Sequence, residues 1–174
     1  MAEPTIRAAL PSDLADILDL YPKAFPDEDL VPLVRELLEG EVDLLSLVAT
    51  RGEAIVGHVI FTACKVEETG EPVALLGPLC VSPDCQRQGI GSRLIAAGVA
   101  EFARREVREV LVLGDPAYYS RAGFKPRAAL KTPCPIPREW AEAWQTMPLQ
   151  PGSQPLTGQL WVPGPWQAKA LWSA

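Results

Sequence analysis

Residues 81–92 of the chain, VSPDCQRQGIGS, separate a stretch with strand patterning from a stretch with helical patterning. Residues 73–81 are rich in apolar and β-branched types, whereas residues 89–106 carry apolar side chains at helical spacing. The first turn of a helix has backbone N–H groups without an intrahelical partner, and the helix dipole places partial positive charge there. This stretch therefore predicts a strand-to-helix turn that can bind an anion.

Two glycines and an arginine give this turn the features of a phosphate site. Gly89 and Gly91 lack β-carbons, so phosphate oxygens can approach the backbone closely, and Arg87 can add a charge-assisted contact. A G-x-G at such a junction is, by itself, equally consistent with a plain turn. The turn has neither the G-x-x-x-x-G-K-[ST] motif of nucleoside triphosphatases nor the G-x-G-x-x-G dinucleotide fingerprint, which favours a different phosphate ligand.

The sequence before this turn predicts strands and helices in alternation. We expect strands at 5–10, 44–50, 54–62 and 73–81, and helices over 14–21 and 30–38. Pro22 and Pro26 should end the first helix, and the acidic residues 27–29 should lie where the second begins. Gly77 and Pro78 interrupt the last strand and predict a bulge or bend.

After the turn we expect a long amphipathic helix over 89–106, a strand at 110–113, a short helix over 116–121 that ends before Gly123, and a strand around Phe124. The whole pattern predicts an α/β (α+β) fold whose mixed, mostly antiparallel sheet is flanked by helices. The last 44 residues hold eight of the 18 prolines and all five tryptophans. Because such large rings favour burial, we expect one domain over 1–174, with segment 128–174 docked on a core of about 5–127.

Composition argues against several classes of partner. The net charge is −6 and the pI about 4.9, so the field of the protein opposes nucleic-acid phosphates and anionic lipid. We therefore expect no nucleic-acid or membrane partner. A cationic partner such as an amine fits this field, and so does an acidic surface that only maintains solubility.

Four cysteines and one histidine are the residues that could suggest a metal. Cys64, Cys80, Cys85 and Cys134 form no C-x-x-C pair, and His58 does not complete a zinc set with them, so we expect no metal. The N-terminal residues lack the pattern of a signal peptide, and no run of about 18 apolar residues predicts a membrane span. These features predict a cytoplasmic protein with reduced thiols.

Two motifs in register resemble the GNAT superfamily of N-acetyltransferases. Val81, Ser82 and Pro83 followed by QRQGIG at 86–91 match its V-x-P strand end and its Q/R-x-x-G-x-G/A pyrophosphate loop. The segment YSRAGF at 119–124 is similar to its Y-x-x-x-G-F motif, and LGDPAYYSRAGF at 113–124 resembles the YhbS-like bacterial subgroup. The resemblance covers about residues 5–127 in element order.

The resemblance implies a GNAT-like sheet in which strands four and five splay apart, and this makes the interruption at Gly77 and Pro78 intelligible. It implies acetyl-CoA as co-substrate, without a metal. Its pantetheine arm would lie against the backbone of Leu79, Cys80 and Val81. Its pyrophosphate would lie against the loop made of Gln86, Arg87, Gln88, Gly89, Ile90, Gly91 and Ser92.

The resemblance also implies an acyl-CoA-dependent N-acyltransferase in which an amine attacks the thioester directly and the acyl group is acetyl by default. Tyr119 would lie near the cofactor sulfur and act as general acid, because a phenol with a pKa of about 10 is protonated at neutral pH. A backbone N–H near residues 79–81 could stabilise the oxyanion. The alternative for Tyr119 is a packing role.

The sequence does not identify a general base. Glu67, Glu68 and Glu71 precede or open the fourth strand, but acids in such connections are usually solvated. A water relay is an equal alternative. His58 lies in an apolar strand, where a hydrogen-bonded structural histidine is expected, although its pKa would suit a base.

Two further regions bear on substrates. Where many family members have an asparagine after the fifth strand, this chain has GDPA at 114–117, so the resemblance does not imply the cofactor contact of that asparagine here. Asp27, Glu28 and Asp29 fall in the region that commonly lines the acceptor side, so we hypothesise that they attract a cationic acceptor, the alternative being acids that start a helix.

Several alternatives stay open at this point. The acceptor could be a small-molecule amine, a peptide N-terminus or a lysine, and an oxygen nucleophile is a further alternative. The chain could be a non-catalytic, regulatory acyl-CoA-binding module, or a protein that uses the same loop for the phosphates of ATP or NAD. The oligomeric state is also open, with a homodimer among the alternatives.

Overall fold

The computed structural model describes residues 3–173. Four helices and nine strands follow one another in the described chain: β1 (Thr5–Ala8), α1 (Leu14–Ala24), α2 (Val31–Glu39), β2 (Leu44–Arg51), β3 (Ala54–Val66), β4 (Pro72–Val81), α3 (Ile90–Arg104), β5 (Glu109–Leu113), α4 (Pro116–Tyr119), β6 (Lys125–Pro126), β7 (Leu130–Lys131), β8 (Trp144–Pro148) and β9 (Gly158–Trp161). Short 3-10 turns connect several of them. The order of elements predicted from the sequence is confirmed.

The strands form a mixed sheet in the order β1-β2-β3-β4-β5-β8-β6, with β9 beside β3 and β7 beside β9. The pairs β1–β2, β3–β9, β5–β8 and β6–β8 are antiparallel, and β4–β5 and β7–β9 are parallel. Helices flank the sheet, so the predicted fold class is confirmed. The chain divides into two compact units, and the long strands β3 and β4 contribute residues to both.

The first unit comprises the described residues up to Phe61 together with Gly77–Gly98. It holds β1, α1, α2, β2 and the first parts of β3 and α3. Ile90, Leu94 and Ile95 form the buried face of α3. The helix lies close to β3 at Gly98, where an added β-carbon would be 2.0 Å from Cε2 of the Phe61 ring. A glycine is therefore required for this close approach.

The structure corrects two boundaries in this unit. Helix α1 does not end at Pro22, which lies inside it; the helix continues to Ala24, and the Phe25 amide donates to the Tyr21 carbonyl. Proline lacks an N–H and fixes φ but does not exclude one further turn. The acids 27–29 lie before α2, whose first turn, from Val31, contains no acidic residue. They therefore do not serve as acids in the first turn of that helix.

The second unit comprises Thr62–Leu76 and the described residues from Val99 onward. Within it β4 pairs β5 at Ala74–Val110, Leu75–Leu111 and Leu76–Val112, and β4 runs on through a cis Gly77–Pro78 bond to Val81, beyond the last of these pairs. This short parallel pairing fits the splay of strands four and five that the resemblance implies. Strand β8 pairs β5 along its length, from Glu109–Pro148 to Leu113–Trp144.

The C-terminal tryptophans take part in the core of this unit. Five residues from the segment after 127 share one hydrophobic cluster with residues of β3, β4 and β5: Leu130, Trp144, Leu160, Val162 and Trp172 with Cys64, Val66, Val73, Leu75 and Leu111. Three indole N–H groups have partners: Trp144 donates to the Leu130 carbonyl at 2.7 Å, Trp166 to Thr62 Oγ1 at 3.1 Å and Trp172 to the Trp166 carbonyl at 2.8 Å. The segment is thus packed by rings whose polar edges are satisfied.

Candidate active site

The turn between β4 and α3 is held by main-chain hydrogen bonds. The Ser82 amide donates to the Val56 carbonyl of β3 at 2.8 Å, and the Cys85 amide donates to the Ser82 carbonyl at 2.8 Å. Residues Pro83–Cys85 form a 3-10 turn in which the Cys85 side chain is buried. The turn thus fixes where the 86–92 loop begins.

Two side chains hold the loop itself. Gln86 Nε2 donates back to the Val81 carbonyl at 3.2 Å. Arg51, the last residue of β2, donates from Nη2 to Gln88 Oε1 at 3.0 Å and from Nη1 to Cys85 Sγ at 3.5 Å. No sequence motif points to Arg51, because its position beside a turn does not indicate which distant loop its side chain reaches.

Two residues of the loop adopt the left-handed backbone region. Arg87 has φ of 63° and Gly89 has φ of 81°. This conformation costs an L-residue about 1–2 kcal/mol, and such residues cluster at functional sites. Apart from its two neighbours in the chain, no residue of the described range 3–173 has an atom within 4 Å of where a β-carbon on Gly89 would be. The backbone at Gly89 is therefore open to an approaching group.

The first turn of α3 completes the loop. The Arg93 amide donates to the Gly89 carbonyl at 3.0 Å, so the amides of Ile90, Gly91 and Ser92 precede the hydrogen-bonded ladder of the helix. The Ile90 side chain is buried and anchors this end, while Gln86, Arg87, Gln88 and Ser92 are exposed. A loop of this kind can bind an anion through amides and the helix dipole.

The end of β4 carries the three residues predicted to contact a pantetheine arm. Leu79 and Val81 are half-buried, whereas Cys80 is buried and its thiol hydrogen-bonds Tyr21 of α1. Burial raises the pKa of the Cys80 thiol to about 12, and the hydrogen bonds from Tyr21 and the His58 backbone only partly offset it. The thiol is therefore neutral at physiological pH and lacks the thiolate character of a nucleophile.

His58 belongs to a buried polar network next to Cys80. Its Nδ1 lies 2.7 Å from the Tyr21 hydroxyl and its Nε2 lies 2.8 Å from Ser46 Oγ. Burial lowers the pKa of His58 to about 3, although Asp13 acts in the opposite direction. The interpretation of His58 as a hydrogen-bonded structural histidine is confirmed, and its low basicity disfavours the alternative role of a base.

Tyr119 lies in the second unit, at the end of α4. Asp115 caps this helix, its Oδ1 accepting a hydrogen bond from the Ala117 amide at 3.0 Å. The Tyr119 ring meets Tyr118 and Phe124 edge to face, at centroid distances of 5.0 and 5.7 Å. It also lies against Gly114, where an added β-carbon would be 2.5 Å from Tyr119 Cε2. The ring is therefore held on several sides.

The hydroxyl of Tyr119 is the chemically informative part of this residue. It makes no hydrogen bond to another residue within 3–173. Burial, together with the neighbouring Tyr118 and Asp115, raises the pKa of Tyr119 above its usual value. The phenol is thus protonated well beyond neutral pH and carries a proton that its hydroxyl can donate.

The three acids considered as bases make structural contacts or face solvent. Glu68 Oε1 accepts a hydrogen bond from the Gln159 amide at 2.9 Å, which lowers the pKa of Glu68. Glu71 lies 3.7 Å from Arg108 Nε in an ion pair, and Glu67 is exposed. The contacts of Glu68 and Glu71 and the solvent exposure of Glu67 account for these acids without a catalytic role.

One residue near Tyr119 was missed from the sequence. Gln145 of β8 is fully buried, and its Nε2 donates to the Gly114 carbonyl at 3.0 Å. It lies in the proline- and tryptophan-rich segment, where no motif singles it out. Only strand pairing brings it beside Gly114.

Residues 3–173 contain neither a cluster of metal-ligating side chains nor a helix that could span a membrane. Within 3–173, no group of three or more His, Cys, Asp or Glu side chains is arranged to hold a metal ion. None of the described helices is both long enough and apolar enough to cross a bilayer.

The chain is similar to a family of acetyltransferases and to individual proteins named as N-acetyltransferases. The model of the acetyltransferase (GNAT) domain family matches residues 43–126. YjhQ of Escherichia coli K12, named an uncharacterized N-acetyltransferase, is 36% identical over 167 residues, which cover 92% of this chain and 92% of YjhQ. YhbS of the same strain, named likewise, is 34% identical over 123 residues, covering 69% of this chain and 72% of YhbS.

Two solved structures carry a cofactor. YhbS of E. coli in complex with CoA superimposes with a TM-score of 0.82 at 28% identity, covering 94% of this chain and 91% of that one. A GNAT acetyltransferase from Brucella melitensis in complex with acetyl-CoA gives a TM-score of 0.77 at 26% identity, covering 95% and 99%. The loop motif, the Y-x-x-x-G-F segment and these relatives agree: the chain belongs to the GNAT family of N-acetyltransferases, a family of enzymes.

Proposed function

We propose that this protein transfers an acyl group, acetyl by default, from acyl-CoA to a primary amine. The observation that carries the proposal is the 86–92 loop, whose left-handed residues and free helix amides form an anion site in a member of this family. The CoA and acetyl-CoA complexes of the two structural relatives support acyl-CoA as the ligand.

In this proposal the pyrophosphate binds the loop formed by Gln86, Arg87, Gln88, Gly89, Ile90, Gly91 and Ser92. The exposed Arg87 guanidinium adds a charge-assisted contact to the amides. The backbone of Leu79, Cys80 and Val81 receives the pantetheine arm. Its strand geometry supplies N–H and C=O groups in alternation, which suits the amides of that arm.

The reaction proceeds by direct attack. The amine nitrogen bonds to the thioester carbon, and the carbonyl oxygen becomes an oxyanion that a backbone N–H near 79–81 stabilises. The carbon–sulfur bond then breaks, and Tyr119 donates its phenolic proton to the departing thiolate. The raised pKa of Tyr119 keeps the phenol protonated when the thiolate leaves, but it also makes the phenol a weaker acid than an ordinary tyrosine, so the role rests on the position of Tyr119 in the family motif and not on the pKa shift. Water removes the proton lost by the amine.

The acceptor side is proposed to carry negative charge. Asp27, Glu28 and Asp29 are exposed and precede α2, so capping of that helix does not account for them. They would attract a cationic amine before it binds.

We propose that residues 1–174 form one acyltransferase domain, which predicts a single cooperative unfolding transition in calorimetry. The four free cysteines support a cytoplasmic location, and a homodimer is a hypothesis for sedimentation analysis.

Two successive measurements test the proposed function. Titration calorimetry compares acetyl-CoA with ATP and NAD, and we expect acetyl-CoA to bind tightest. Release of free thiol is then measured over a panel of small amines, peptides and lysine-containing substrates. Preference for ATP or NAD would contradict the assignment of the loop, whereas tight acetyl-CoA binding without turnover on any acceptor would favour the regulatory acyl-CoA-binding module.

A further inference from the structure

Gln145 has an orientation that its hydrogen bonds fix. Its Nε2 donates to the Gly114 carbonyl at 3.0 Å and to the Ala143 carbonyl at 3.3 Å, so both amide hydrogens have acceptors. Rotating the carboxamide by half a turn would place its oxygen against these two carbonyl oxygens. The positions of nitrogen and oxygen in this side chain are therefore determined by its surroundings.

The oxygen of the same side chain is left without a partner. Gln145 Oε1 is buried and has no hydrogen bond to any residue of the described chain 3–173. A buried acceptor without a donor destabilises the folded state, whereas an apolar side chain of similar shape avoids that loss. Stability alone thus does not explain a glutamine here, and its distinctive contribution is the pair of hydrogen bonds that it donates.

The hydrogen bond to Gly114 acts on the residue that borders Tyr119. Gly114 is held through both backbone groups, because its amide donates to the Ala143 carbonyl at 3.0 Å and its carbonyl accepts from Gln145. A β-carbon at Gly114 would lie 2.5 Å from Tyr119 Cε2 and 3.0 Å from Cδ2, so the Tyr119 ring packs directly on the Gly114 backbone. A shift of Gly114 would therefore move the ring.

We propose that Gln145 is a positioning residue for Tyr119, acting through Gly114. The carboxamide fixes the Gly114 backbone, and this backbone forms the wall against which the phenol ring is oriented. The inference rests on the proposed function, in which Tyr119 protonates the leaving thiolate. It adds a residue of β8 to the groups on which that step depends.

The first test observes Tyr119 without any assay of activity. The chain has only three tyrosines, so protein labelled with ¹³C at tyrosine Cζ gives three signals, which Tyr→Phe variants assign. In Gln145→Met, which keeps the length of the side chain but removes the donors, we expect the Tyr119 signal to shift or broaden. Its titration should move toward the ordinary phenol pKa, and the Tyr21 signal should stay unchanged.

A matched control is Gln159→Met. The Gln159 carboxamide also donates to main-chain carbonyls, those of Lys131 and Thr132, but it is not bonded to Gly114. It should leave the Tyr119 signal in place. If Gln145→Met does not fold, Gln145→Glu serves instead, since its protonated carboxyl can donate one hydrogen bond to Gly114 and its ionised form cannot. The Tyr119 signal should then change as that carboxyl ionises.

The second test is a double-mutant cycle on turnover. Gln145→Met should lower kcat about tenfold or more with KM for acetyl-CoA nearly unchanged, because misplacing a reacting group by about 1 Å can cost roughly 100-fold. It should have little further effect on Tyr119→Phe. An unchanged Tyr119 signal in the Gln145 variants would overturn this inference alone. If Tyr119→Phe retains full kcat, the role of Tyr119 in the proposed function fails, while the signals still decide whether Gln145 positions the ring.

Discussion

Arg51 and Gln88 are joined by a side-chain hydrogen bond of 3.0 Å, which ties the end of β2 to the loop that precedes α3. The same guanidinium reaches Cys85 Sγ at 3.5 Å, so it contacts the loop region at two points. A loop held in its bound geometry before the ligand arrives loses less conformational entropy on binding. Arg51 therefore prepares the proposed pyrophosphate site without belonging to its sequence motif.

Removing this tie should weaken binding of acetyl-CoA. In Arg51→Met we expect an affinity loss of about tenfold, equivalent to about 1.4 kcal/mol, because the loop must be ordered by the ligand. Calorimetry measures the loss. Arg35→Met is the matched control, since Arg35 pairs with Glu39 on the exposed surface of α2 and its loss should not change the affinity. Equal affinity of the two variants would refute the role of Arg51.

A substitution of Arg87 can separate the effect of its charge on CoA binding from the effect of its left-handed backbone on stability. In Arg87→Gly the left-handed backbone at φ of 63° becomes unstrained, while the charge is lost and the unfolded chain gains entropy. Urea unfolding should therefore show a stability within about 1 kcal/mol of the wild type. Affinity for CoA should fall, whereas affinity for S-acetylpantetheine, which lacks the pyrophosphate, should not. A parallel loss for both ligands would contradict a phosphate contact.

Tyr119→Phe should reduce turnover while preserving binding. A general acid contributes about 100- to 10,000-fold to the rate, so kcat should fall by at least the lower figure. The raised pKa of Tyr119 has a second consequence: its phenol is still protonated where an ordinary tyrosine ionises. In the wild type, kcat should thus show no alkaline decline caused by Tyr119 up to about pH 10. Tyr118→Phe is the neighbouring control and should retain most of the activity.

The lowered pKa of the single histidine, His58, should make the stability of the folded chain depend on pH. The pKa of His58 is about 3 in the folded chain, against an unfolded value of about 6.5, so between these values the unfolded chain binds a proton that the folded chain does not. Unfolding is therefore favoured as pH falls below 6.5. The free energy of unfolding from urea titrations should decrease by about 2 kcal/mol between pH 7 and 5. The His58→Gln variant should be less stable, and its free energy of unfolding should change less between pH 7 and 5. An equally steep dependence on pH would mean that another group is responsible.

Substitution of the acidic residues before α2 tests the hypothesis that they attract a cationic acceptor. Asp27→Asn combined with Asp29→Asn should raise KM for a cationic acceptor, by an amount that shrinks as salt is added, and should leave KM for acetyl-CoA unchanged. Asp16→Asn with Asp19→Asn removes the same charge from the exposed face of α1 and is the control. If both double variants raise KM equally, only net charge matters and the hypothesis of local steering is rejected.

The parts of the fold that were predicted correctly have local causes. Helical spacing of apolar residues defined α3 within two residues at each end, and the turn residues around Gly52 placed the hairpin of β2 and β3. The predicted end of α1 at Pro22 was wrong, because more than local sequence decides where this helix ends. A proline weakens a helix locally, but packing of the buried Ile17 and Tyr21 outweighs that loss and carries α1 to Ala24.

Local sequence is enough to predict the 86–92 loop, the start of α3 and the helix that bears Tyr119, because glycines, caps and periodicity act on neighbouring residues. Three other features become visible only in the folded chain: Arg51 reaches the loop, His58 is buried between Tyr21 and Ser46, and Gln145 holds Gly114. These contacts join residues 12 to 37 positions apart. They depend on strand pairing and helix packing, which no short stretch of sequence specifies.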